Sequence, residues 1–182
     1  AALMTGLSGR AIVTRQLAAL PEGDRVPLNS RLRYDRAAVE RHWKALDPKT
    51  HGPEALAAET RFLEIDLVFP LVYGSAFLAA LLLGWAMLGR NFNPTWLVLA
   101  VGIALLSDWT ENLTMLGQIE AYAAGAALSD GRIALASAAT LVKLLAVGML
   151  VVLTIGEFLL VVRTMLRAWT RNGWWARLDS NQ

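Results

Sequence analysis

Across 182 residues, 55% of them hydrophobic and with a mean hydropathy of +0.43, the composition belongs to the membrane class and outside the usual soluble one. Cysteine is absent, which excludes disulfides, thiolate metal sites, iron-sulfur clusters and cysteine nucleophiles; both histidines, His42 and His51, lie in the polar N-terminal third, so the apolar part offers no imidazole for haem, zinc or general-base work. The formal charge of +2 comes from scattered Arg and Lys without a basic run of five, so the expected counter-charge is membrane phosphate and not nucleic acid.

Residues 1–61 alternate charged residues with short apolar patches and carry Pro21, Gly23, Pro27 and Pro48 as punctuation. The opening "AALMTGLSGRAIVTRQLAAL" is interrupted by Arg10 and Arg15, shows no three-part signal peptide and does not begin with methionine, which leaves room for a processed or truncated start. In "YDRAAVERHWKAL", Asp35 is placed to cap a short amphipathic helix with Val39, Trp43 and Leu46 on one face, lying on the membrane or on the spans. His42 and His51 read as surface residues. A further helix is expected from Pro53 through "EALAAETRFLEID" into the first span.

The fold expected is an all-α polytopic membrane bundle of three spans plus short amphipathic helices, with spans at about 62–89, 94–119 and 133–165 and an interfacial tail at 169–182. The first contains Leu67 to Gly89, uncharged throughout and longer than the roughly 20 residues a helix needs to cross about 30 Å of hydrocarbon. In "GRNFNPTW", Asn93 can cap and Pro94 can take the first helical position, so an antiparallel second span follows at once. After the small-residue loop "AYAAGAALSDG" the third span starts at Ile133 and outlasts the bilayer core. Its last turns carry Arg163, Arg167 and Arg171 at four-residue spacing beside Trp169, Trp174 and Trp175, the pattern of an interfacial anchor. Those arginines put the C-terminus on the cytoplasmic face under the positive-inside rule. The other tryptophans and the methionines read as boundary and packing residues, and Glu157, about 36 Å along the third span, as solvated at the opposite interface.

Against this apolar background stands "SDWTEN". Asp108, Glu111 and Asn112 are three and four residues apart and share one helix face, about 10 to 16 Å from the end of the second span. Ser137, Thr140 and Lys143 enter the third span from the same boundary to matching depths, and Asp66 with Tyr73 does so in the first. Pro70 cannot donate to the carbonyl of Asp66, which predicts a kink with a freed acceptor beside a carboxylate. Lys143 is the natural counter-charge, because a charged group at a span centre costs roughly 2.5 to 3.5 kcal/mol. Three readings of the cluster stay open: a lock on helix register in a structural or accessory subunit, a proton- or ion-coupled transporter or channel, and a membrane enzyme in which Glu111 or Asp108 serves as general acid or base on a lipid-like substrate. No set of residues suggests a metal or cofactor, and the partners expected are membrane lipids and other membrane chains or a second copy.

The combination "FLEIDLVFPLVYG", "DWTENL" and "ASAATLVKLL", covering about residues 30–150 with its flanks, resembles an uncharacterised family of small bacterial multi-pass membrane proteins. The matching positions are Asp66, Phe69, Pro70, Tyr73, Asp108, Glu111, Asn112, Ser137, Thr140 and Lys143. The resemblance implies a bacterial cytoplasmic-membrane protein with a further helix ahead of the "RLRYD" segment, which this chain does not display, and it brings no activity. The ending "ARLDSNQ" resembles peptides made when a reading frame runs into a transfer-RNA gene.

Overall fold

In a computed structural model, which describes residues 25–47, 54–89 and 93–171, every regular element is helical and no strand occurs among the described residues. A 3-10 turn, Leu28–Ser30, precedes the α-helices α1 (Arg36–Ala45), α2 (Glu54–Asp66), α3 (Phe69–Met87), α4 (Thr95–Ala123) and α5 (Asp130–Arg171). The all-α expectation holds. Two stretches are long and apolar enough to cross a membrane: Glu54–Met87, formed by α2 and α3 together, and α5. The expected middle span, α4, has 29 residues but is not among them; the polar "SDWTEN" interrupts its apolar run.

Asp35 caps α1 as its spacing predicts, its Oδ1 accepting from the Ala38 N–H at 2.8 Å. Val39, Trp43 and Leu46 are fully buried, packed with Leu28, Leu56 and Leu63 against Met115, Ile119 and Ile133. The amphipathic helix therefore lies on the corner where α4 ends and α5 begins. His42 corrects the surface expectation. Four residues from Ala38 and three from Val39, it falls on the same inward face, is fully buried, and sets Nε2 3.3 Å from Glu59 Oε1 of α2. His51 lies outside the described residues.

The passage from α2 to α3 is also corrected. Pro70 does not kink a continuous helix: α2 ends at Asp66, Leu67 and Val68 form a tight turn, and Pro70 sits at the second position of α3, where a missing N–H removes no helical bond. α2 starts at Glu54, one residue from the start expected at Pro53, but it stops at Asp66 instead of running on into the next helix.

Asn93 Oδ1 accepts from the Thr95 N–H at 3.0 Å, and Pro94 takes the cap position, one residue earlier than expected. At the far end of α4, Gly125 adopts φ +71° while its N–H bonds Tyr122 O and the Ala126 N–H bonds Ala121 O. This paired closure of the last carbonyls needs a left-handed residue. Gly125→Ala is therefore expected to lower stability by about 1 kcal/mol, read as a small drop in melting temperature in detergent.

α5 packs along α4, and α3 packs against both. Close approach depends on glycine: a Cβ at Gly74 would meet the Leu105 side chain, and one at Gly84 would lie 3.2 Å from the Cβ of Glu157. Glu157 was expected to be solvated; it is buried, 6% exposed, because the missing side chain of Gly84 lets it fold over α3. Gly84→Val should cost roughly 1–3 kcal/mol by forcing the two helices apart, measurable by denaturant unfolding in micelles. Beyond Val162 the side chains of α5 up to Thr170, including Arg163, Arg167 and Trp169, are exposed, and its 42 residues extend about 63 Å. The helix continues past 165, the expected end of the span, in keeping with a run longer than a bilayer core. Arg171 is helical in backbone; Trp174, Trp175 and the rest of 172–182 lie outside the described residues, as do residues 1–24.

Candidate functional site

Two apolar cores divide the bundle. One joins α1 and α2 to the α4–α5 corner, through Trp43, Met115, Ile119 and Ala136; the other joins α3, α4 and α5 through Leu81, Leu97, Ala104, Ala146 and Leu150. Going along α4 from Ala104 to Met115, or along α5 from Ala136 to Ala146, the chain passes between them. That intervening layer is where Asp108, Glu111, Asn112, Thr140 and Lys143 lie, all of them buried.

Lys143 Nζ stands between both acids of α4, 3.2 Å from Asp108 Oδ1 and in direct contact with Glu111 Oε2. Spacing alone left open which acid it neutralises; the geometry engages both. Asp108 has further support. Its Oδ2 accepts the Tyr73 hydroxyl at 2.9 Å and its Oδ1 the Asn112 amide at 3.1 Å. Glu111 relies on its contact with Lys143, since the neighbouring Thr140 hydroxyl donates to Ala136 O.

Asn112 answers the broken helix. Its Nδ2 lies 3.3 Å from Asp66 O, 3.2 Å from Asp66 Oδ2 and 3.1 Å from Asp108 Oδ1, so the acceptor predicted to be freed beside Pro70 is occupied. The next carbonyl, Leu67 O, accepts from Trp109 Nε1 at 2.8 Å. Trp109 was not singled out from the sequence, where it read as a packing residue; its place inside "SDWTEN" was the available signal. An indole positioned to satisfy a helix-end carbonyl should be replaceable in volume but not in bonding. Trp109→Phe is expected to cost roughly 1–3 kcal/mol and to speed amide exchange around Leu67 and Val68, as monitored by hydrogen exchange mass spectrometry.

Ser137 and Thr140 do not reach Tyr73 or Asn112. They turn toward the N-terminal segment: the Tyr34 N–H donates to Ser137 Oγ at 3.0 Å, and the Tyr34 hydroxyl meets Thr140 Oγ1 at 3.3 Å. Thr140 also donates back to Ala136 O at 3.0 Å. Tyr34 is the second residue missed in sequence, although it belongs to the "RLRYD" segment. Burial pushes its phenol well above the ordinary tyrosine range, so it remains a neutral hydrogen-bonding group at any physiological pH. The eight predicted polar residues thus fall into two bonded groups: Ser137 and Thr140 with Tyr34, and Asp66, Tyr73, Glu111, Asn112 and Lys143 around Asp108, with Trp109 added beside the second.

Chemically, the layer holds acids, one amine, amides and hydroxyls. Among the described residues no three His, Asp or Glu side chains are grouped to hold a metal ion. No triad of nucleophile, base and orienting group is assembled either: Ser137 and Thr140 bond to Tyr34 and to backbone, and the buried histidine is on α1. Compared with protein families, curated proteins and solved structures, the chain matches none.

Proposed function

We propose that this chain is an integral protein of the bacterial cytoplasmic membrane, of the small multi-pass family its motifs resemble, in which α3, α4 and α5 all span. Its role is that of a structural or accessory subunit, whose Asp108–Glu111–Asn112–Lys143 layer locks the three helices so that a fixed surface is offered to other membrane chains. The observation that carries the membrane part is an inverted polarity. Leu83, Leu99, Leu106, Leu113, Val152 and Phe158 point outward and are each more than half exposed, while Asp108 and Glu111, the charges inside the apolar run of α4, are buried. A water-soluble bundle does the reverse. The same arrangement supports α4 as the third span, since Asp108, Glu111 and Asn112, which lower its hydropathy most within the apolar run, are buried.

The lock is favoured over a conducting or catalytic role by where the bonds go. Lys143 ties α5 to α4, Tyr73 ties α3 to α4, and Asn112 and Trp109 close the α2–α3 break onto α4. The broken helix that would suggest an ion site has both its terminal acceptors filled by side chains. Isolating the tagged chain in native lipid particles tests the reading. A homo-oligomer or other membrane chains at fixed stoichiometry is expected, retained in the charge-free triple variant Asp108→Asn, Glu111→Gln, Lys143→Met; a parental-like fold that has lost a transport or turnover activity would favour the alternatives.

Topology is tested separately. With α5 crossing once, single cysteines at Ser129 and Thr170 should react with an impermeant thiol reagent from opposite sides, Thr170 from the cytoplasm. Labelling of both from one side would overturn the arrangement.

A further inference from the structure

On the flank of the bundle, a cleft of about 780 Å³ opens between the segment entering α1 and the first turns of α5. One wall carries Arg31, Arg33 and Arg41; the other is apolar, made by Ala134, Ala138 and Leu141. Arg31 is half-buried, with Nε donating to Val26 O at 2.8 Å, whereas Arg33 and Arg41 are exposed. The cleft also includes the acidic Asp35, whose Oδ1 is committed to the cap of α1. Among the described residues the lining holds three guanidinium groups and one carboxylate, and guanidinium groups so gathered suit an anion with several oxygens.

The apolar wall does not stop at the cleft. Ala134, Ala138, Leu141, Leu145 and Val152 follow one another at four, three, four and seven residues, one continuous face of α5. Leu145 is 64% exposed and Val152 69% exposed, so the stripe is open for its length. A cationic head with an apolar trough running from it into the span has the two-part chemistry of a phospholipid. We propose that this cleft binds the phosphate headgroup of an anionic phospholipid through Arg31, Arg33 and Arg41, with an acyl chain laid along the Leu141–Leu145–Val152 face. Ser137 and Tyr34 also line the cleft and bond to each other there, so the bound headgroup would rest on the outer edge of the polar layer. The inference rests on the membrane reading above.

The test uses the full chain in neutral detergent, with native mass spectrometry counting retained phosphatidylglycerol against phosphatidylcholine of the same acyl chains. One phosphatidylglycerol held preferentially is expected. The double variant Arg33→Gln, Arg41→Gln should bind it roughly tenfold or more weakly, given the usual contribution of each arginine near an anionic lipid. Phosphatidylcholine retention should not change. The control Arg163→Gln, Arg167→Gln, which neutralises the other basic end, should keep the preference. Equal retention of both lipids by the parent, an unaltered preference in the Arg33, Arg41 variant, or loss of it in the control would each overturn the assignment. Inorganic phosphate or glycerol phosphate displacing the lipid at millimolar concentration would reassign the site to a free phosphate. Should the double variant fail to fold by circular dichroism, the parent's two-lipid comparison alone decides. Failure of the membrane reading looks different: the chain would leave the membrane on alkaline extraction, whereas a chain that stays in the membrane without lipid preference sinks only this proposal.

Discussion

Lys143→Met is expected to lower unfolding stability by about 3 kcal/mol, the scale set by leaving a buried charge without its partner and by the insertion cost of a charge within a span. The side chain is only 10% exposed and touches Asp108 and Glu111 together, so its loss leaves two carboxylates facing each other across one helical turn. The partner replacements should repair this unequally. Asp108 keeps the Tyr73 hydroxyl and the Asn112 amide, whereas Glu111 has no such pair of side-chain donors. Lys143→Met with Glu111→Gln should therefore recover more stability than Lys143→Met with Asp108→Asn, and the charge-free triple variant most of all. Melting temperatures and denaturant titrations in micelles across the set of variants measure the couplings. Equal recovery by the two double variants would show that the extra hydrogen bonds to Asp108 contribute nothing. A Lys143→Met protein that melts like the parent would remove the ion pair as the organising contact of the layer.

Asn112→Leu should cost about 2 kcal/mol, by a different route. The substitution nearly preserves volume, but three acceptors lose the Nδ2 donor: Asp66 O, Asp66 Oδ2 and Asp108 Oδ1. Asp108 Oδ1 still has Lys143, so the cost is that of the lost hydrogen bonds themselves, roughly 1.5–3 kcal/mol where the acceptor is charged. The damage should be local, with faster amide exchange where α2 meets α3 and little change at the distant core around Leu81 and Leu150. Asn112→Asp should be worse than Asn112→Leu at neutral pH, because it sets a third carboxylate beside Asp66 and Asp108. If Asn112→Asp matches the parent in melting temperature, water or an ion already reaches the layer, and the dry lock is wrong.

Both variants act on a layer whose membership was largely legible. In a run without other charges, the spacing of Asp108, Glu111 and Asn112 leaves only one common face, and matching depths from the same boundary select Ser137, Thr140 and Lys143 on the neighbouring helix. Periodicity and burial cost do that much without coordinates. The orientation of individual bonds follows from contacts between segments far apart in sequence, and there the spacing leaves the partners undetermined. Ser137 and Thr140 bond to Tyr34, some hundred residues away. His42 and Glu157 looked solvated because isolated polar residues usually are; one is enclosed by α2, the other lies in the space Gly84 leaves open.

Length, apolar runs, caps and breakers determined by themselves that the chain is helical, where α1 and α4 begin to within a residue, and that a polar face runs inside an apolar bundle. These are local properties, set by backbone propensity and by the 3.6-residue period. Tertiary structure alone decided that Pro70 starts a new helix instead of bending an old one, since only the amide of Asn112 and the indole of Trp109 make the broken carbonyls tolerable there. It also decided that Lys143 serves two acids and that three arginines of the N-terminal segment meet an apolar stripe of α5. Such juxtapositions depend on how helices pack, and no single segment encodes them.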